Sequence, residues 1–82
     1  MKVNHRKLGR EKALGLAHLD DNLIEIDSRL TGRKRLEIYV HEALHLLNPT
    51  HSETKVLKDA AKIASVLWKQ GYRMVEKETR NR

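Results

Sequence analysis

The sequence predicts an α+β domain in which a short antiparallel β-hairpin packs on two α-helices. Three observations lead there. Leu23-Ile24-Glu25-Ile26-Asp27 alternates apolar and acidic side chains, the two-residue period of a half-buried strand. Residues 33–47 and 53–70 each carry apolar side chains at three- and four-residue spacing, the period of an amphipathic helix. Asn48-Pro49 divides the two helical stretches, because a proline disfavours helical geometry in the residue before it. With 82 residues the chain is expected to form one domain, 1–82.

Each element has its own signature. Residues 1–12 show no clear period and read as a loose basic arm, or a short strand late in that stretch. Residues 13–27 read as the hairpin, with Asp20-Asp21-Asn22 as its turn and Ile24 and Ile26 on one face of the second strand. A connector, 28–32, leads into the first helix. There Leu36, Val40, Ala43, Leu44 and Leu47 form an apolar stripe, with Tyr39 and Leu46 at its edge. Thr50 or Ser52 is placed to cap the second helix. Its expected buried stripe is Glu53, Leu57, Ala60, Ala64 and Leu67, and Lys55, Lys58, Lys62 and Lys69 form the solvated face. Gly71 is suited to end that helix. Residues 72–75 read as a short extended tail that packs back, with Tyr72 against Trp68, and a charged, frayed end follows.

Composition narrows the chemistry. A chain this short buries a modest core and gains from a metal, a disulfide or a partner subunit such as a second copy. There is no cysteine, so any structural or catalytic zinc must be held by histidine and carboxylate, and five histidines are available. No apolar stretch is long enough to cross a membrane, and no apolar run follows the basic N-terminus as in a signal peptide, so a cytoplasmic location is expected. The net charge of +6 favours acidic partners, nucleic acid among them. One Trp, two Tyr and no Phe give no visible base-stacking platform.

The sharpest signal is His41-Glu42-Ala43-Leu44-His45, an H-E-x-x-H motif inside the first helical pattern. Residues four apart lie on one helix face, so two imidazoles there can share a zinc ion. On the helical wheel both histidines fall nearly opposite the apolar stripe, so they are not ordinary core histidines. Glu42 lies beside them and is placed to act as general base on water.

A catalytic zinc site needs a third protein ligand. His51 is one candidate: the run has the spacing H-E-x-x-H-x-x-N-x-x-H, which resembles the metzincin signature with Asn48 at its glycine position and no Met-turn following. Glu53 is the other. It heads the second helix and resembles the downstream glutamate of gluzincins, although Thr50-His51-Ser52-Glu53 also matches a capping box. The stretch from Ile24-Glu25-Ile26-Asp27 through the motif and Ser52-Glu53 to Gly71-Tyr72-Arg73 resembles small zinc metallopeptidases of phages and bacteria. That resemblance covers most of the chain. It implies a minimal zincin-like fold, and its pattern places the acid at Glu53, which ranks slightly above His51.

The expected function is therefore a zinc-dependent metallopeptidase acting on a peptide or protein substrate. The ligands are His41, His45 and Glu53 (or His51), with Glu42 as general base. Tyr39 or Tyr72 is a candidate for oxyanion stabilisation, with core packing the first role of each. Asp27 is a candidate partner for a ligand imidazole. Leu23–Asp27 occupies the chain position of a substrate-binding edge strand. His5 and His18 read as structural or solvent-exposed. The rival reading is a non-catalytic zinc-stapled module whose basic ends bind nucleic acid or a protein.

Overall fold

A computed structural model describes residues 1–75. Three strands, β1 (Lys2–Arg6), β2 (Gly15–His18) and β3 (Leu23–Asp27), precede two helices, α1 (Gly32–Leu47) and α2 (Glu53–Lys69). A single 3-10 turn, Gly9–Glu11, follows β1. The strands form one mixed sheet in the order β1-β3-β2. β2 runs antiparallel to β3, whereas β1 runs parallel to it, pairing Lys2 with Leu23 and Arg6 with Asp27.

This corrects two expectations. Residues 1–12 are not a loose arm: the strand lies early in the stretch, and its first amide bonds the Asn22 carbonyl at 2.8 Å. Nor is the sheet only an antiparallel hairpin over 13–27, because β1 adds a parallel third strand. Its polar sequence hides it, since of its five residues only Val3 is even partly shielded from solvent.

β3 is the centre of the sheet. Ile24 and Ile26 are fully buried, and Leu8, also fully buried, joins them in the core. The opposite face of β3 carries acids, each neutralised locally. Glu25 accepts hydrogen bonds from Arg6 Nε at 2.6 Å and from His18 Nε2 at 2.9 Å. The Arg6 guanidinium, and then His18, hold its pKa down at about 2. Asp27 accepts from the Leu8 and Arg29 amides and from the Arg29 guanidinium. The Arg29 bonds hold its carboxyl well below the usual range. Asp27 is therefore engaged at the β3 corner and not with a motif imidazole, and His18 is structural.

α1 packs on β2 and β3 with one side and on α2 with another. That middle position changes which of its residues are buried. His41 and Glu42 are the buried ones, whereas Leu47, assigned to the apolar stripe, is exposed. α2 turns Val56, Ala60 and Ala64 into the interface, and the alanines permit close approach. Leu57 is exposed, so the expected stripe is off by about one residue, while the lysine face is exposed as expected. Ser52 caps α2 by accepting the Lys55 amide. Gly71, at φ +92°, ends it: the Gly71 amide bonds Trp68 O and the Tyr72 amide bonds Leu67 O, the paired bonds of a Schellman closure. Among the described residues no helix is long and apolar enough to cross a membrane.

Candidate metal centre

The α1–α2 connection brings the motif to the head of α2. α1 stops at Asn48, whose φ of −133° keeps it out of the left-handed region, as the following Pro49 requires. The chain therefore does not turn back at Asn48 to deliver His51. It runs on to Ser52, and because Ser52 is the cap, Glu53 becomes the first residue of α2. The T-x-x-E capping box does not form, which leaves the Glu53 carboxylate available to the histidines. A negative charge is also favoured at that helix end.

His41, His45 and Glu53 converge. His41 Nε2 lies 3.1 Å from Glu53 Oε2, His45 Nε2 lies 2.8 Å from Glu53 Oε1, and the two Nε2 atoms are 3.2 Å apart. Among the described residues these three form a group that could hold a metal ion, and His51 is outside it. Tetrahedral zinc, with bonds of ~2.0–2.1 Å, needs donors roughly 3.3 Å apart. The two imidazole nitrogens, 3.2 Å apart, match that spacing, and the two Glu53 oxygens lie 3.1 and 2.8 Å from them, one beside each ring. Two imidazole nitrogens and a carboxylate oxygen are also a donor set that zinc accepts. The site is asymmetric in exposure: His41 is buried, whereas the Glu53 side chain is 68% exposed. Its open side faces solvent.

Glu42 lies next to this group and is only 8% exposed. Among the described residues nothing hydrogen-bonds its carboxylate. Burial raises its pKa, and the neighbouring His41 and His45 partly oppose that rise. A buried carboxylate without a partner is costly unless a function retains it. Glu42 and His45 line one small cleft of about 270 Å³, walled by Gly15, Leu16, Leu19 and Pro49. Gly15 is what lets β2 approach so closely. A Cβ there would lie 2.7 Å from Glu42 Cγ and 2.8 Å from Ile38 Cγ2. The sequence reading passed over Gly15, since a lone glycine at a strand start carries no sign of what lies opposite.

The remaining expectations fare differently. Leu23–Asp27 is the central strand with both edges paired, so it cannot receive a peptide as an edge strand. β2 is the edge strand beside the cleft. Tyr39 and Tyr72 are not among the residues lining the cleft and border another cavity instead. Tyr72 is 64% exposed and does not cover Trp68; the Arg73 guanidinium does, 3.4 Å from the ring centroid. No protein-family model, curated protein or solved structure matches the chain.

Proposed function

We propose that this chain is a minimal zincin-type zinc peptidase. The observation that carries the reading is Glu42: a buried carboxylate with no hydrogen-bond partner among the described residues, opening into the cleft beside His45, next to a His-His-Glu group that could hold a metal ion. His41, His45 and Glu53 hold the ion. Bound zinc supplies Lewis-acid chemistry, polarising a carbonyl and acidifying water. Glu42 takes the proton from the attacking water and delivers it to the departing amine. Burial raises its pKa, which strengthens it as a base towards water. The outer edge of β2 holds the substrate backbone in an extended form by main-chain hydrogen bonds. Leu16, Leu19 and Pro49 favour an apolar side chain beside the scissile bond.

A second reading has its own support. The group ties α1 to α2, so zinc there would also staple the fold without any reaction. One experiment separates the two. Zinc content and cleavage of a mixed peptide library are measured for wild type, His41→Ala and Glu42→Gln. The peptidase reading expects one zinc in wild type and in Glu42→Gln, little in His41→Ala, and cleavage by wild type alone. Full zinc with no cleavage of any peptide by wild type would leave the staple.

A further inference from the structure

The other end of the helix pair holds a second cavity, of about 620 Å³, with Val3 and His5 of β1 as its floor and Tyr39, Trp68 and Tyr72 around it. The metal end holds the smaller cleft, into which Glu42 opens. A general base works only when its carboxylate is held in one direction. Glu42 has no hydrogen-bond partner among the described residues to hold it.

Its direction is set by contact instead. A Cβ on Gly15 of β2 would stand 2.7 Å from Glu42 Cγ, 3.0 Å from Glu42 Oε2 and 2.8 Å from Ile38 Cγ2. Ile38 precedes Glu42 by four residues and shares its helix face. Both side chains therefore lie against the bare backbone at Gly15. The glycine serves space and not conformation. Positive φ occurs at Gly32 and Gly71 and not at Gly15, whose backbone angles are open to any residue. Nor is β2 free to step back. Gly15 is in register with the fully buried Ile26, and the Asp27 amide bonds the adjacent Leu14 carbonyl at 2.9 Å. A side chain at position 15 would have to displace Glu42 or Ile38. Glu42 is the freer of the two, because no hydrogen bond restrains it and it borders the open cleft.

We propose that Gly15 is the positioning residue of Glu42: its bare backbone is the stop that aims the carboxylate into the cleft beside His45. The inference rests on the peptidase reading, since the aim of Glu42 matters only if it moves a proton. Contact suits this task better than a hydrogen bond. A fixed donor would steady the carboxylate but also weaken it as a base. A glycine backbone confines the stem and leaves both oxygens free of donors. β2 then aligns both reactants, the base against its inner face and the peptide along its outer edge.

Zinc content, urea midpoints, and kcat and KM for a cleaved peptide are measured for wild type, Gly15→Ala and Ile24→Val at saturating zinc. Ile24→Val thins the core opposite Ala17 rather than Gly15 and controls for lost stability. Gly15→Ala should keep one zinc and its KM while kcat falls about 10- to 100-fold, as a misplacement of about 1 Å can cost. Ile24→Val should keep kcat within about twofold of wild type, since it leaves the aim of Glu42 alone. A kcat for Gly15→Ala no lower than that of Ile24→Val would overturn the proposal and leave the peptidase reading standing. A rise in KM alone would also overturn it, because the glycine would then be shaping the cleft for substrate. No cleavage by wild type would remove the reading, and the proposal with it. Urea unfolding of Gly15→Ala, Glu42→Ala and the double variant checks the contact without any reaction. Truncating Glu42 removes its Cγ, so Gly15→Ala should lower the midpoint less in that background than alone. Equal losses would show that the two residues do not meet, and the proposal would fail. If Gly15→Ala alone does not fold, the double variant should recover the folded state.

Discussion

The two ends of the α1–α2 pair differ in how their residues reach one another. At the metal end, the candidate ligands and Glu42 come from residues 41 to 53, and helix geometry plus one short connection is enough to assemble them. At the aromatic end, the lining comes from β1, both helices and the tail, residues 3 to 74. The first depends on local spacing and the second on the tertiary fold. A local site is recognisable as a motif and tolerates a loosened fold; a long-range cavity has no motif and disappears with the packing. The side chains differ likewise: carboxylates stand at the metal end, and among the described residues Arg35 and Arg73 line the aromatic cavity.

The largest expected effect tests whether the metal end is a staple as well as a site. Saturating zinc at 100 to 1,000 times its dissociation constant adds about 3–4 kcal/mol to stability. For a chain of this size that raises Tm by roughly 10 °C or more. Differential scanning fluorimetry with and without chelator measures it, and an unchanged Tm would break the symmetry between fold and site. Next comes Gly15→Ala. The new methyl would overlap Glu42 Cγ and Ile38, so a loss of about 1–3 kcal/mol is expected in urea unfolding. Zinc content should be retained, because no ligand is touched.

A third prediction concerns the acidic face of β3, which belongs to neither end. The folded-state pKa of Glu25 is depressed to about 2 from an ordinary 4.5. Its ion pair therefore stabilises the fold fully above pH 4.5 and is lost as pH falls towards 2. Glu25→Gln should be less stable than wild type at pH 7, and the two should converge over that acid window. Parallel urea midpoints at all pH values would refute it. The smallest effect is expected from Tyr72→Ala. With 64% of the residue exposed, stability should change by about 0.5 kcal/mol or less in urea unfolding.

Much of the helical half was legible. α1 and α2 begin and end within one residue of their expected bounds, because Asn48-Pro49, Ser52 and Gly71 are strong local punctuation. Glu53 was placed with His41 and His45, its proximity following from the short connection. What failed were statements about neighbours. β1 has almost no apolar alternation, and its parallel pairing with β3 is set across the intervening chain. The wheel put His41 on an outer face because it cannot know that α1 is a middle layer with α2 on its far side. The aromatic residues look too few to matter, since composition counts them without showing that all three border one cavity.

The position of β3 has a consequence for the order of assembly. Its pairing with β2 closes only the turn 19–22, while its pairing with β1 must bring residues 2–6 across the whole of β2. Short closures cost less entropy and form sooner. The hairpin and the helix carrying the motif can thus be in place before β1 docks, and the floor of the aromatic cavity is laid last. Amides of β3 that point to β2 should accordingly be the slower to exchange with deuterium, and those that point to β1 the faster. A weight fused ahead of Met1 would act on the last step of folding, with the metal end already built.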